Sequence, residues 1–134
     1  MENMKTAADL MIRDVCYADI DHPMSYIRQR MLVNAFSYLP VIKTDRSVWM
    51  LSDFAIARWL RQMSWEQQKG ALVRTLKTVV EDTADSLELV KPISLPSETS
   101  IADLAKSLSS MPILLHEPKN KKKIVGLISA FDLL

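Results

Sequence analysis

The chain has 134 residues, 49% hydrophobic and 25% charged, which bounds it to one compact domain or two very small ones of ordinary globular composition. Seventeen basic against sixteen acidic side chains leave a formal charge of +1, so neither nucleic acid nor an anionic membrane has compositional support as a partner. Average usage would place about nine glycines in such a chain. The two present, Gly70 and Gly126, exclude glycine-rich phosphate loops and the dinucleotide fingerprint.

Helix and strand signals alternate along the sequence. Residues 7–11 are apolar enough for a short helix or a buried arm, and residues 15–20 read as a short strand. Asp21 is the expected N-cap of a helix with Pro23 just inside its start, and Met24, Ile27 and Met31, followed by Ala35, form its apolar stripe. Pro40 stops that helix. Val41 and Ile42 begin a strand, residues 44–47 supply turn chemistry, and residues 48–51 return. Asp53 is the expected cap of the next helix, on which Ile56, Trp59, Leu60 and Met63 follow the i, i+3, i+4, i+7 spacing. Ser64 with Gln67 forms a capping box for a helix carrying Leu72, Leu76, Val79 and Val80 and ending near Ser86. Residues 89–95 are extended around Pro92, Ser100 with Asp103 caps a helix bearing Ile101, Leu104, Ala105 and Leu108, and residues 113–115 and 124–128 are paired strands.

This order repeats. A shift of 72 places sets Leu32 on Leu104, Phe36 on Leu108, Leu39 on Met111, Pro40 on Pro112 and Val41 on Ile113. Aligning the ends of the two copies instead sets residues 47–53 on residues 126–132, which pairs Met50 with Ser129 and Asp53 with Asp132.

These anchors resemble the cystathionine-beta-synthase-type (CBS) domain, a β-α-β-β-α unit found in tandem pairs. Its Leu-Pro-Val element is matched by Leu39-Pro40-Val41 and less closely by Met111-Pro112-Ile113. Its strand-ending signature of glycine, hydroxyl and aspartate at three-residue intervals is matched by Gly126, Ser129 and Asp132, and residues 8–14 resemble the usual lead-in. The resemblance implies an α/β (α+β) architecture of two units packed sheet to sheet, with residues 1–63 as the first domain, 64–88 as a helical connector and 89–134 as the second. It also implies two clefts that take AMP, ADP, ATP or S-adenosylmethionine as regulatory ligands. No cofactor is required. Asp132 would accept the ribose hydroxyls and Ser129 would donate to phosphate, with Gly126 completing the signature. Ile93, Met111 and Ile113 are the weaker candidates for the walls around adenine. The first copy keeps a carboxylate at Asp53 but has Met50 aligned with the hydroxyl, and a thioether cannot donate to phosphate. That second, weaker site is expected to be empty, altered in preference or restricted to an uncharged adenosyl group. Only Leu133 and Leu134 follow Asp132, so the helix expected to face the phosphate is missing or supplied by residues outside this sequence. One ligand per chain, at Asp132, is the expected stoichiometry.

Other residues read more plainly. Cys16, the single cysteine, is a small core hydrophobe, and His22 and His116 have no zinc-ligand spacing, so no metal site is expected. The lysine run at 119–123 reads as a solvated hairpin tip. No nucleophile–base pair has useful spacing, so an enzyme is not expected. With no signal peptide and no apolar run long enough to span a bilayer, the expected location is the cytoplasm. The wide apolar arc of Ile56, Trp59, Leu60 and Met63 exceeds what one small domain is expected to bury and predicts a homodimer. The functional expectation is a ligand-sensing module read by a regulated protein. The alternative is an interaction or dimerisation module with decayed ligand sites.

Overall fold

A computed structural model describes residues 5–85 and 87–134, in two compact units. One unit is Cys16–Lys91; the other joins the N-terminal segment through Val15 to Pro92–Leu134. The sequence reading grouped residues 1–63 and treated 64–88 as a connector, and the structure divides the chain differently at both places.

The contiguous unit contains β1 (Ala18–Asp19), α2 (Met24–Asn34), β2 (Tyr38–Ile42), β3 (Val48–Ser52), α3 (Asp53–Arg61), α4 (Trp65–Leu72) and α5 (Leu76–Glu81). The preceding helix, α1 (Ala7–Leu10), belongs to the other unit. β2 lies centrally, parallel to β1 and antiparallel to β3. A proline in a central strand removes a ladder donor. Pro40 is tolerated because Met50 opposite it turns both backbone groups outward, exchanging hydrogen bonds of 2.8 and 2.9 Å with Val90, while β1 joins β2 only from Val41 onward. Arg46 closes the β2–β3 turn at φ 74°, a left-handed residue on the hairpin.

The core of this unit takes Met24, Ile27 and Met31 from α2, Leu39 and Val41 from β2, and Ile56, Trp59 and Leu60 from α3. Ala71, Leu76 and Val79 join the same cluster, so α4 and α5 are part of the unit's core rather than a spacer. The expected single helix over this stretch is two: Ser64 and Gln67 form the predicted capping box for α4, and Thr75 accepts from the Thr78 amide to start α5. The predicted end near Ser86 lies outside the described residues. Trp59 donates its indole N–H to Asp85 at 3.0 Å, and Asp85 pairs with Arg74 at 2.9 Å, tying the segment after α5 to α3.

Two start signals shift by a residue or two. Pro23, not Asp21, occupies the N-cap position of α2, and Asp21 instead donates its amide to the Asp19 carboxylate. Ala35 lies past the stripe as the left-handed C-cap at φ 54°. At α3 the cap is Ser52, whose hydroxyl accepts from the Ala55 amide at 3.0 Å, and Asp53 is the first helical residue. Trp59 and Leu60 are 2% and 9% exposed and Ile56 is 6%. The arc expected to drive self-association is therefore satisfied inside its own unit, where α4 and α5 supply the cover that a shorter domain would lack.

The other unit contains α1, β4 (Ser94–Pro96), α6 (Ile101–Ala105), β5 (Ile113–Glu117), β6 (Asn120–Ile128) and a 3-10 turn over Ala130–Leu133. β5 is central, parallel to β4 and antiparallel to β6, repeating the order of the first sheet. Its core gathers Ala7, Leu104, Ile113, Leu115 and Ile128. Leu104 is fully buried whereas Leu32, its partner under the 72-place shift, is 65% exposed, so the copies are not in that helical register. The N-terminal segment is laced in by backbone bonds, from Ala7 to Thr99 at 2.8 Å and reciprocally between Ile12 and Leu127 at 2.8 and 3.0 Å.

Candidate functional site

Each sheet ends in a turn where its last strand enters a helix, and of the functional side chains expected from sequence Ser129, Asp132 and Asp53 sit at these turns. In the second sheet β6 ends at Ile128, Ser129 is the N-cap of the 3-10 turn, and Asp132 lies three residues on. This spacing folds the carboxylate back onto the cap. Asp132 Oδ2 accepts from the Ser129 amide at 2.9 Å and from its hydroxyl at 3.2 Å. The hydroxyl expected to donate to a phosphate thus donates to Asp132 here. The cap engages Oδ2 of the carboxylate.

Gly126 has a structural reason of its own. A Cβ there would lie 2.6 Å from the Met11 sulfur and 2.9 Å from the Ile12 carbonyl, so the close approach of the N-terminal segment requires glycine. Ile113 is a correction: its side chain is 1% exposed inside the core cluster and cannot also wall a ligand. Ile93 is exposed and holds β5 by accepting from the Leu114 amide at 2.9 Å. Met111 is half-buried just before β5, its amide bonded to the Ser109 hydroxyl at 3.2 Å.

In the first sheet the geometry overturns the residue equivalences read from sequence. Ser52 directly follows the buried Leu51, as Ser129 directly follows the buried Ile128. Both serines are N-caps. The counterpart of Ser129 is thus Ser52, not Met50, and the counterpart of Asp132 is Ala55, not Asp53. Met50 is 1% exposed, with its backbone committed to Val90. The first copy keeps the hydroxyl and lacks the carboxylate, the reverse of the expectation. Asp53 is exposed, and its Oδ1 accepts from the adjacent Phe54 amide at 2.6 Å. Sequence alone sets Ser52 aside as pointing elsewhere, one residue from Asp53, although a serine directly before the apolar helix spacing is a helix-start signal.

Two other groups have shifted ionisation. Burial pushes the Tyr17 phenol up, just ahead of β1, while the Ser47 hydroxyl and amide hold the exposed Asp45 carboxyl down in the β2–β3 turn. Among the described residues no three histidine, cysteine or acidic side chains cluster as metal ligands, and no helix is long and apolar enough to cross a membrane.

Two sheets of this order, each ending in a capped strand-to-helix turn, define a tandem α/β module. Residues 85–134 match the family model of the CBS domain. The whole chain has the fold of solved CBS-domain proteins. A CBS domain-containing protein of unknown function from Kribbella flavida DSM 17836 superposes with a TM-score of 0.73 at 12% identity, covering 96% of this chain and 94% of that one. A hemolysin-like protein containing a CBS domain, from Oenococcus oeni PSU, gives 0.70 at 16% identity over 98% and 88%. CBSX2, solved in complex with AMP, gives 0.67 at 12% identity over 96% and 92%. No curated protein sequence matches the chain. The family match is thus confined to residues 85–134, and the chain as a whole shares the tandem fold of solved CBS-domain proteins.

Proposed function

We propose that this chain is a regulatory module that senses an adenine nucleotide or related adenosyl ligand through the Ser129–Asp132 constellation. The observation that supports the reading is the pairing of a hydroxyl and a carboxylate at one strand-to-helix turn, 3.2 Å apart. A carboxylate beside a hydroxyl can accept from vicinal ribose hydroxyls while the hydroxyl turns to donate to phosphate. CBSX2, with the same fold, is known with AMP bound. The proposed action is a shift in population: ligand stabilises the conformation whose turn it fits, and a regulated protein in the cytoplasm reads that conformation. The role is regulatory rather than catalytic.

The test is thermal denaturation with AMP, ADP, ATP and S-adenosylmethionine in turn. A ligand at about 100 times its Kd adds about 2.7 kcal/mol to stability, so one of the four should raise Tm, and Asp132→Ala should remove that rise. No shift with any of them overturns the reading. The second reading, an interaction or dimerisation module with decayed sites, is favoured by one observation: Ala55 stands where the first copy would need its carboxylate.

A further inference from the structure

β1 and β2 run side by side to Asp19 and Ile42, and the β2–β3 turn closes the sheet there, at the end opposite the Ser52 turn. Between this β2–β3 turn and α5 lies a groove of about 360 Å³, a size that suits a small molecule. All of its lining belongs to the unit Cys16–Lys91. Ile20, 4% exposed, and the half-buried Val80 supply an apolar wall. Around that wall stand two charges of each sign, Lys43 and Asp45 from the turn and Lys77 and Glu81 from α5, with Thr44 beside them.

These four charges are not spent on one another. Among the described residues none of them is in an ion pair, whereas Arg74, Lys106 and Lys123 all are. Each element holds its own in place. Asp45 Oδ1 accepts from the amide and the hydroxyl of Ser47, which keeps the carboxyl ionised, and Lys43 Nζ stands 4.3 Å from the centre of the Trp49 ring. The Lys43 amide donates to the Ser47 carbonyl at 2.9 Å, and the Arg46 amide donates back to Lys43 at 2.9 Å, so the turn is closed twice over. On α5 the Lys77 amide donates to the Ile20 carbonyl at 2.8 Å, fixing the helix against the end of β1. Lys77 and Glu81 share one face of that helix at i, i+4 spacing. The groove is therefore built before any ligand arrives.

We infer that this groove binds a small aliphatic α-amino acid in its zwitterionic form. The ligand carboxylate is matched by Lys43 and Lys77, its ammonium by Asp45 and Glu81, and its side chain by Ile20 and Val80. A simple anion meets two opposing carboxylates here, and a simple amine meets two opposing ammonium groups. A ligand carrying both charges beside an apolar group answers every wall of the groove. The site lies at the other end of the sheet from the strand-to-helix turn and does not rest on the adenosyl reading.

The probe is L-leucine, titrated into the full chain and followed by amide shifts. It is compared with isocaproate, which lacks the ammonium, and isoamylamine, which lacks the carboxylate. Leucine should shift Ile20, Lys43, Thr44, Lys77 and Val80 saturably. It should bind at least about tenfold more tightly than either analogue, because each analogue forfeits charge-assisted contacts. Lys77→Gln should weaken leucine and isocaproate but not isoamylamine, and Glu81→Gln should weaken leucine and isoamylamine but not isocaproate. Lys43→Gln, on the turn, repeats the first comparison without touching α5. The backbone bonds that fix both elements are kept, so these variants should fold and keep any thermal shift given by AMP, which separates this test from that of the adenosyl site. The proposal is overturned by no saturable shift with leucine, valine, isoleucine or methionine, or by shifts confined to the Ser129–Asp132 turn. An analogue that binds as tightly as leucine, or variants that weaken all three compounds alike, overturns it equally.

Discussion

Replacing Gly126 by Ala separates a packing role from a ligand role at one position. The added Cβ would lie 2.6 Å from the Met11 sulfur and 2.9 Å from both the Met11 Cγ and the Ile12 carbonyl oxygen. The methionine end can swing away, but the carbonyl belongs to backbone held to Leu127 by two hydrogen bonds, at 2.8 and 3.0 Å. Overpacking of this kind costs about 1–3 kcal/mol, and parting the bridge forfeits about 1 kcal/mol for each hydrogen bond lost. The expected destabilisation is therefore about 3–5 kcal/mol in urea unfolding if both bonds part, with faster hydrogen exchange at the Ile12 and Leu127 amides. Gly70 is the internal control. It sits within α4 with nothing inside 4 Å of its added Cβ, and Gly70→Ala should stabilise by about 0.5–1 kcal/mol. If Gly126→Ala leaves stability and exchange unchanged, the close approach of the N-terminal segment is wrong. A change confined to nucleotide affinity would return that glycine to the ligand site.

Leu104→Ala should destabilise by about 2–5 kcal/mol, since Leu104 is fully buried, whereas Leu32→Ala should change stability by less than about 0.5 kcal/mol; equal effects in chemical denaturation would contradict the register reported above. In titration calorimetry Asp132→Ala should abolish most nucleotide binding and Asp53→Ala should leave it unchanged. Ala55→Asp, which restores the carboxylate beside the Ser52 cap, should add a second binding event, and its failure to do so would refute the equivalence of Ser52 with Ser129.

The order of elements was legible because it is written in local chemistry. Ser64 with Gln67, Ser100 before Ile101, and Pro112 before the second central strand mark boundaries within a few residues of where they act. The ends of the two sheets were harder. Asp53 and Asp132 align readily as letters, yet they occupy the first and third helical positions of their turns, and only the N-cap placement of Ser52 and Ser129 after the buried Leu51 and Ile128 fixes the offset. The division into units was not legible either. Ala7 packs with Leu104 and Ile128, more than ninety positions away, and no short-range signal encodes such a partnership. The burial of the α3 arc had the same cause, since its cover comes from α4 and α5, which read as a spacer.

That remote partnership sets the order in which the molecule can be completed. Cys16–Lys91 is one uninterrupted stretch whose sheet and core are available as soon as it has left the ribosome. The other unit encloses that stretch in sequence. The Ile12 backbone cannot meet Leu127, nor Ala7 meet Thr99, until more than ninety further residues have been added. Such late, long-range closure slows folding. Meanwhile the apolar face of Ala7, Leu10 and Met11 waits without its sheet, so a segment made before the contiguous unit is protected only after it.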